Sequence, residues 1–234
     1  MTELIYMNDC YAKEFDAVVT KVDGKFVVLD KTAFYPQGGG QPTDTGKLVK
    51  DGEEYNVVFA KKTGKDVSHE VDKEGLKEGD KIHGIIDWDK RHVLMRMHTA
   101  AHILSEIFNK ETGALITGNQ LNIDKSRIDF SLENFDREKI KEYVSKANDI
   151  VQKDLPIKIY TLPREEALKI PTVTKLANVL PPAVKELRIV EIEGFDIQAD
   201  GGTHVKSTKE VGEIEVLSAE NKGKNNRRVY FTLK

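Results

Sequence analysis

Two histidines lie four residues apart, His98 and His102, within the segment RMHTAAHIL. If this segment is helical, both rings project from the same face about one turn apart. Two imidazole nitrogens at this spacing can bind one metal ion. The residue after His98 is Thr99, so the pair is not the His-Glu-x-x-His motif of metalloproteases, which supplies its own general base. On spacing alone, a structural role is favoured over a metal site.

A carboxylate and a third imidazole, Asp200 and His204, occur far downstream in DIQADGGTHVKST. The two glycines between them exclude a helix and predict a tight turn between strands, which could aim both side chains at one point. With the helical pair they make three imidazoles and a carboxylate, a ligand set that Zn²⁺ accepts. If only three bind, a fourth position is open to water, as in catalytic zinc sites. The alternative, with Asp200 as a turn former and His204 as a surface residue, is slightly favoured at this point.

Three consecutive glycines, Gly38, Gly39 and Gly40, lie between two prolines in the segment KTAFYPQGGGQPTDTG. Their backbone can approach a ligand closely, because no Cβ is in the way. No Gly-Lys-Ser/Thr follows, so the segment is not a phosphate-binding P-loop. Considered alone, it is better explained as the corner of a barrel.

The first 88 residues have the pattern of an all-β domain. Apolar and β-branched runs are separated by Asp-Gly pairs at 23–24 and 51–52, which are strong signals for β-hairpins. Several short strands in succession predict a small barrel or sandwich. The predicted strands are Phe15–Val22, Lys25–Leu29, Gly46–Lys50, Glu54–Ala60, Asp66–Val71 and Lys81–Trp88.

The pattern changes near Trp88, after which apolar residues recur at three- and four-residue steps. This periodicity predicts an amphipathic helix from Lys90 to about Lys110. His98 and His102 each follow a residue of its buried stripe, so both lie at the edge of that face. The other predicted elements are strands at Gln120–Ile123, Arg127–Leu132 and Pro156–Leu162, a helix at Arg137–Lys153 capped by Asp136, a short helix after Pro163, and strands from Leu187 onward. The sequence thus predicts an α+β protein, with a β-barrel-like domain at 1–88 that carries the glycine-rich loop and an α+β domain at 89–234.

The composition is that of a folded protein without a disulfide framework. Of 234 residues, 39% are hydrophobic and 32% are charged, which excludes the disordered class. The single cysteine, Cys10, excludes internal disulfides and a cysteine-based zinc cluster. Neither a signal-peptide pattern nor an apolar run of about 18 residues is found. We therefore expect a soluble, cytoplasmic protein with no membrane partner.

Basic residues concentrate near residue 234, although the formal net charge is −3. Such a patch could contact the phosphates of a nucleic acid, and a solvated terminal strand is an equally good explanation. Basic residues close to the histidine pair are further candidates for such contacts. The terminal set is Lys222, Lys224, Arg227, Arg228 and Lys234, and the set near the histidines is Lys90, Arg91 and Arg96.

Four segments, in this order, resemble the editing domain of alanyl-tRNA synthetase and its free-standing relatives, the AlaX trans-editing proteins. They are FYPQGGGQPTDTG at 34–46, RMHTAAHIL at 96–104, GNQLNIDKSRIDFS at 118–131 and ADGGTHVKST at 199–208. The resemblance covers about residues 15–233, and the glycine-rich motif makes the chain similar to the medium-length class. One position departs from the family pattern, which usually has Cys-Gly-Gly-Thr-His: Asp200 stands where that cysteine would be.

The resemblance implies a hydrolase with one zinc ion, held by His98, His102 and His204 together with Asp200. It implies that a zinc-associated water hydrolyses the ester of mischarged Ser-tRNA(Ala), with Gly-tRNA(Ala) as a second substrate. Asp200 is then either a zinc ligand or the base that deprotonates the water. The implied fold is a barrel-like domain followed by the editing domain that threonyl- and alanyl-tRNA synthetases share.

Selectivity would require recognition of one hydroxyl, the group by which serine exceeds alanine. Thr32 is the candidate partner for that hydroxyl, and the other candidate substrate-binding residues are Gly38, Gly39, Gly40 and Gln120. The expected partner is tRNA(Ala) carrying the wrong amino acid, and not DNA, while the oligomeric state is left undetermined. Two alternatives stay open: a deacylase for another aminoacyl-tRNA such as mischarged tRNA(Thr), and a non-catalytic tRNA-binding module with a structural metal.

Overall fold

The computed structural model describes residues 1–133, 136–175 and 184–234. The chain divides into two compact units, Met1–Val93 and Leu94–Lys234. The sequence pattern placed a boundary just before the first long helix, whereas the division between the compact units falls inside it. Within the described ranges, no helix is both long and apolar enough to span a membrane.

The first unit is built from short strands, as its sequence predicts. They are β1 (Glu3–Leu4), β2 (Glu14–Asp23), β3 (Phe26–Leu29), β4 (Lys31–Thr32), β5 (Gly46–Lys50), β6 (Glu53–Thr63), β7 (Asp66–Val71) and β8 (Lys81–Ile86), with a 3-10 turn at Ile5–Met7. Six of them close into an antiparallel barrel in the order β2-β3-β7-β6-β5-β8, and β1 pairs with β4 in parallel. The predicted barrel is therefore confirmed.

Glycine-containing turns set two of the barrel hairpins. Asp51 and Gly52 join β5 to β6, and both have positive φ, 51° and 84°. A two-residue turn of type I′ needs this combination, and its twist matches that of the strands. In the first hairpin β2 continues through Asp23, so the turn residues are Gly24 and Lys25 rather than the predicted Asp-Gly pair.

A fully buried ion pair anchors the glycine-rich segment within the first unit. Arg91 Nε donates to both carboxylate oxygens of Asp44, at 3.0 and 2.9 Å, and both residues are 0% exposed. The same guanidinium donates to the carbonyl oxygens of Cys10 and Ala33, at 3.1 and 2.5 Å. These hydrogen bonds give Arg91 a structural role. Because Arg91 is fully buried, it is not available for the contact with nucleic acid that the sequence suggested.

The second unit combines helices with two antiparallel sheets. Its elements are α1 (Trp88–Thr112), which begins before the division, β9 (Ile116–Gln120), β10 (Ser126–Phe130), α2 (Arg137–Gln152), β11 (Ile157–Pro163), α3 (Arg164–Ala167), β12 (Glu186–Ile192), β13 (Asp196–Ala199), a 3-10 turn (Thr208–Val211), β14 (Ile214–Asn221) and β15 (Arg227–Leu233). One sheet has the order β14-β15-β10-β9 and the other β11-β12-β13. The strand predicted at Gln120–Ile123 is wrong, because β9 ends at Gln120 and a loop follows.

The two long helices begin and end where local chemistry predicts. Gly113, with φ of +72°, ends α1, and its N–H donates to the carbonyl oxygen of Asn109 at 2.7 Å. Asp136 caps α2 by accepting the N–H of Glu138 at 2.9 Å, which confirms the predicted cap. The ring of Phe108 on α1 stacks on Phe130 of β10 with centroids 4.3 Å apart. This contact fixes which face of the β14-β15-β10-β9 sheet packs against α1.

Candidate metal centre

Four possible ligands converge in the second unit. His98 and His102 come from α1, while Asp200 and His204 come from the loop after β13. One ligand atom from each of the four lies within 4.8 Å of the others. Asp200 is central: its Oδ1 is 3.0 Å from His204 Nε2, and its Oδ2 is 3.6 Å from His98 Nε2. The structure thus unites the four residues that the sequence analysis singled out.

The loop that presents Asp200 is held by hydrogen bonds of its own backbone. The Asp200 N–H donates to the carbonyl oxygen of Arg188 at 3.1 Å, and Arg188 Nη1 donates back to the Asp200 carbonyl oxygen at 2.8 Å. The Gly202 N–H donates to Asp200 Oδ1 at 2.7 Å, which closes a local turn at the start of the loop. The predicted turn between two strands is wrong, because β13 is followed by this loop and then by the 3-10 turn.

One candidate ligand ring is oriented by a hydrogen-bond partner that the sequence analysis missed, and a second lies close to a carboxylate. His204 Nδ1 lies 3.1 Å from the hydroxyl of Thr99, one helical residue after His98. His102 Nδ1 lies 3.3 Å from Asp196 Oδ2, although it does not satisfy hydrogen-bond geometry there. Such outer partners fix which nitrogen of each ring faces a metal. Asp196 is 3% exposed and also bonds Lys175, so this carboxylate belongs to a buried charged group behind the site.

Burial and neighbouring charges set the protonation of the site. Burial lowers the pKa of His98 to about 4 and holds the pKa of His204 well below its ordinary value. Burial alone would raise the pKa of Asp200, but the neighbouring imidazoles, His98 foremost, and the bond from His204 hold it well below its usual range. At neutral pH the two imidazoles are therefore uncharged and the carboxylate is ionised. These are the states in which they bind a cation.

The spacing of these atoms suits a small metal ion. With metal–ligand bonds of about 2.0–2.2 Å, the corners of a tetrahedral zinc site are about 3.3–3.6 Å apart. Asp200 Oδ1 lies 3.0 Å from His204 Nε2 and Asp200 Oδ2 lies 3.6 Å from His98 Nε2, while the set of four donor atoms spreads over up to 4.8 Å, somewhat wider than that range. His98, His102 and His204 are each at most 6% exposed, so the donors are withdrawn from bulk solvent. The residues present therefore fit a metal ion.

The candidate substrate-binding residues at 32 and 38–40 belong to the first unit, not to the unit of the metal centre. Thr32 is 0% exposed, and its hydroxyl is 2.9 Å from His69 Nε2 and accepts the Phe34 N–H at 3.1 Å. Gly38 and Gln41 exchange backbone hydrogen bonds of 3.1 and 2.9 Å, so the three glycines lie in a tight turn.

Gln120, the last candidate, ends β9 in the second unit and is exposed. Its side-chain oxygen accepts Arg127 Nε at 3.3 Å, across the strand pair that β9 forms with β10. Gln120 therefore lies beside basic residues of the β14-β15-β10-β9 sheet.

Comparison with known proteins gives the class and then the family. Residues 3–90 match the family model of class II (A) tRNA synthetases, and residues 187–230 match the threonyl and alanyl tRNA synthetase second additional domain. These matches and the histidine cluster define a protein related to the tRNA synthetases through their editing region. The alanine–tRNA ligase of Pyrococcus furiosus is 41% identical over 98% of this chain, which corresponds to 26% of the ligase.

Two free-standing relatives match over their whole lengths. The alanyl-tRNA editing protein AlaX-M of Methanosarcina barkeri is 55% identical over all of this chain and 99% of its own. The AlaX-M protein of Saccharolobus solfataricus is 49% identical, with both chains covered completely. The chain belongs to the AlaX-M family of alanyl-tRNA editing proteins, which confirms the family resemblance inferred from the four sequence motifs.

Proposed function

We propose that the chain hydrolyses the ester bond of mischarged Ser-tRNA(Ala), with Gly-tRNA(Ala) as a second substrate, at a zinc centre in its second unit. Membership of the AlaX-M family makes it an enzyme of the aminoacyl-tRNA hydrolase class. The observation that carries the finer proposal is the convergence of three imidazoles and a carboxylate on one point. Its substrate arises during translation, so we propose a cytoplasmic location.

The donor set argues for zinc as the metal. His98, His102, His204 and Asp200 offer nitrogen and carboxylate donors, which Zn²⁺ binds readily. A bound Zn²⁺ would polarise the ester carbonyl and lower the pKa of an associated water. An ester has a good leaving group, so the chain needs no nucleophilic serine or cysteine. Its own contribution is to hold the ester in place and to exclude bulk water from the buried site.

Asp200 is better suited to act as a metal ligand than as a general base. Its carboxyl has a pKa held well below the ordinary range, and a general base acts best when its pKa lies near the working pH. The carboxylate also contacts two of the imidazoles directly, at 3.0 and 3.6 Å. We therefore propose that Asp200 takes the ligand position that the related sequences usually give to cysteine.

Thr32 is the proposed partner of the serine hydroxyl. Burial lowers the pKa of His69 to about 4, so its ring is neutral, and its Nδ1–H donates to the Val27 carbonyl oxygen at 3.1 Å. The other ring nitrogen therefore accepts the Thr32 O–H, while the Thr32 oxygen also accepts the Phe34 N–H. One lone pair of the Thr32 oxygen remains, and because Thr32 is 0% exposed, this lone pair can accept a hydrogen bond from serine only after a local rearrangement uncovers it. Alanine and glycine have no side-chain hydroxyl, so this hydrogen bond would distinguish serine from both of them.

The experiment compares deacylation of Ser-, Gly- and Ala-tRNA(Ala), with Ser-tRNA(Thr) as a further substrate. We expect rapid loss of serine from tRNA(Ala), with alanine spared, and loss of activity after chelation. Thr32→Val should reduce serine discrimination about tenfold, the value of one neutral hydrogen bond, while Thr32→Ser retains it. Preference for Ser-tRNA(Thr) would contradict the tRNA assignment, and unchanged discrimination in Thr32→Val would remove Thr32 from the proposal.

A further inference from the structure

The alternation of side chains along β15 places its two arginines on opposite faces of the sheet. On β15, Val229 and Phe231 are 0% exposed and face the core with Phe130, so Arg228 and Tyr230 face the opposite, outward side. Arg227 points inward and is 7% exposed, because it donates to the backbone oxygens of Gly223, Asn226 and Glu133. Arg227 is therefore structural, whereas Arg228 belongs to a surface.

A carboxylate holds two arginines side by side on that outward surface. Arg228 Nε and Nη2 donate to the two oxygens of Asp129, at 2.7 and 2.9 Å. Arg127 Nη1 donates to the same carboxylate at 2.8 Å, from the same strand, β10. The Arg127 and Arg228 side chains are 24% and 21% exposed, whereas the carboxylate is 9% exposed and lies beneath them. The group therefore presents a net positive charge to solvent through two fixed guanidinium planes.

A glycine permits this arrangement. Gly118 of β9 lies opposite Asp129, and a Cβ at position 118 would approach Asp129 Oδ2 to 3.3 Å. A side chain there would crowd the carboxylate that positions both arginines. The third family motif of the sequence, GNQLNIDKSRIDFS, thus contributes the glycine, the carboxylate and Arg127 to one surface.

An aromatic ring extends the surface. Lys125 Nζ lies 4.9 Å from the centroid of the Tyr230 ring, and the Arg228 guanidinium carbon lies 6.0 Å from it. Tyr230 pairs with Arg127 across the β10–β15 register, and Gln120 lies on the other side of Arg127. We call this set the basic sheet face, and its members are Lys125, Arg127, Asp129, Arg228 and Tyr230.

The chemistry of this face matches an RNA backbone. Fixed arginine planes bind phosphate oxygens in pairs, and a ring flanked by cations can stack on a ribose or an unpaired base. Glu220 of β14 lies opposite Arg228 and pairs with Lys222, so the four cations Lys125, Arg127, Lys222 and Arg228 still exceed the two carboxylates Asp129 and Glu220, although the chain as a whole carries a formal charge of −3. We propose that the basic sheet face binds the phosphate backbone of the tRNA whose aminoacyl ester reaches the metal centre, an inference that rests on the proposed function.

The position of the face separates this contact from the chemistry. α1, which carries His98 and His102, packs on the opposite side of the sheet through the stacked rings of Phe108 and Phe130. The basic sheet face therefore acts on the body of the tRNA rather than on the ester. Its loss should weaken binding and raise KM, while kcat at saturating substrate stays unchanged.

The test measures binding of uncharged tRNA, which needs no hydrolysis. Filter binding from low to moderate salt gives both affinity and its salt dependence. The double variant Arg127→Gln/Arg228→Gln removes two cations, and Lys139→Gln/Lys209→Gln removes two exposed cations elsewhere in the same unit. Two lost phosphate contacts should reduce the slope of log K against log salt by about 1.4–1.8, and the matched control should leave it unchanged.

Two further variants distinguish the loss of a phosphate contact from misfolding of the double variant. Lys125→Gln disturbs no contact of Asp129 and should reduce the slope by about 0.7–0.9. Arg228→Lys keeps the charge and should retain the slope. Equal affinity and slope for the wild-type protein and the double variant would overturn the inference, as would a fall in kcat with KM unchanged. Failure of the wild-type protein to hydrolyse Ser-tRNA(Ala) would instead refute the proposed substrate, and it would leave the binding result standing.

Discussion

Acid should destabilise the barrel unit through a single histidine. His69 on β7 is 0% exposed, and burial lowers its pKa from 6.5 to about 4, only partly offset by its bond to Val27. Between those pH values the unfolded chain binds a proton that the folded chain does not, so the free energy of unfolding falls as pH falls. The difference of about 2.5 pKa units corresponds to about 3 kcal/mol, present above pH 6.5 and lost on reaching pH 4.

The variant His69→Gln isolates this contribution. The glutamine amide is neutral at every pH, and it offers the donor and the acceptor that Val27 and Thr32 require. Urea unfolding followed by the fluorescence of the single tryptophan, Trp88, reports on the first unit, in which that residue lies. From pH 7.5 to pH 4 the wild-type protein should lose about 3 kcal/mol more than the variant. Parallel loss in the two proteins would refute the assignment of a neutral, buried His69.

Three further substitutions, Asp200→Asn, Asp200→Cys and Thr99→Val, test the metal centre, and a fourth, Arg91→Met, tests the buried ion pair of the first unit. Asp200→Asn should lower zinc affinity at least about 100-fold, whereas Asp200→Cys should retain it because a thiolate is a good zinc ligand. If chelator competition gives Asp200→Asn the same zinc affinity as the wild-type protein, Asp200 is not a ligand. Thr99→Val removes the partner of His204 Nδ1 and should weaken zinc binding about 10–100-fold in the same assay, so an unaltered affinity would count against this orienting role. Arg91→Met leaves Asp44 buried and unpaired and should cost about 3–5 kcal/mol in urea unfolding, and a loss below about 1 kcal/mol would contradict the structural role of the pair.

Local sequence patterns predict the secondary-structure elements better than they predict which distant residues contact one another. The barrel follows from alternating apolar residues and glycine turns, which act over two to four neighbouring positions. The helix of His98 and His102 follows from its apolar period in the same way. β9 was placed too late, because the alternation of Gln120–Ile123 imitates a strand while the strand pairing stops at Gln120. Pairing is a tertiary property, and a short polar run does not encode it.

Side chains whose role depends on distant partners could not be assigned from sequence. Arg91 and Arg227 looked like surface cations, yet each is buried against oxygens from segments far away in the chain. Asp196 and Thr99 were missed for the same reason, since nothing beside them in the sequence indicates that each lies against a ligand imidazole. The four candidate metal ligands could be singled out because His98 and His102, and likewise Asp200 and His204, lie four residues apart within short motifs, a signal that does not depend on the intervening chain.

The most direct test of the proposed chemistry is deacylation of Ser-tRNA(Ala) measured against zinc content. Metal-free protein is reconstituted in steps, and bound zinc is determined by elemental analysis at each step. We expect the rate to rise in proportion to bound zinc and to level off at one ion per chain, with Ala-tRNA(Ala) spared throughout. Full activity in metal-free protein, or no activity in protein that holds one zinc ion, would contradict a zinc-dependent hydrolase built on His98, His102, Asp200 and His204.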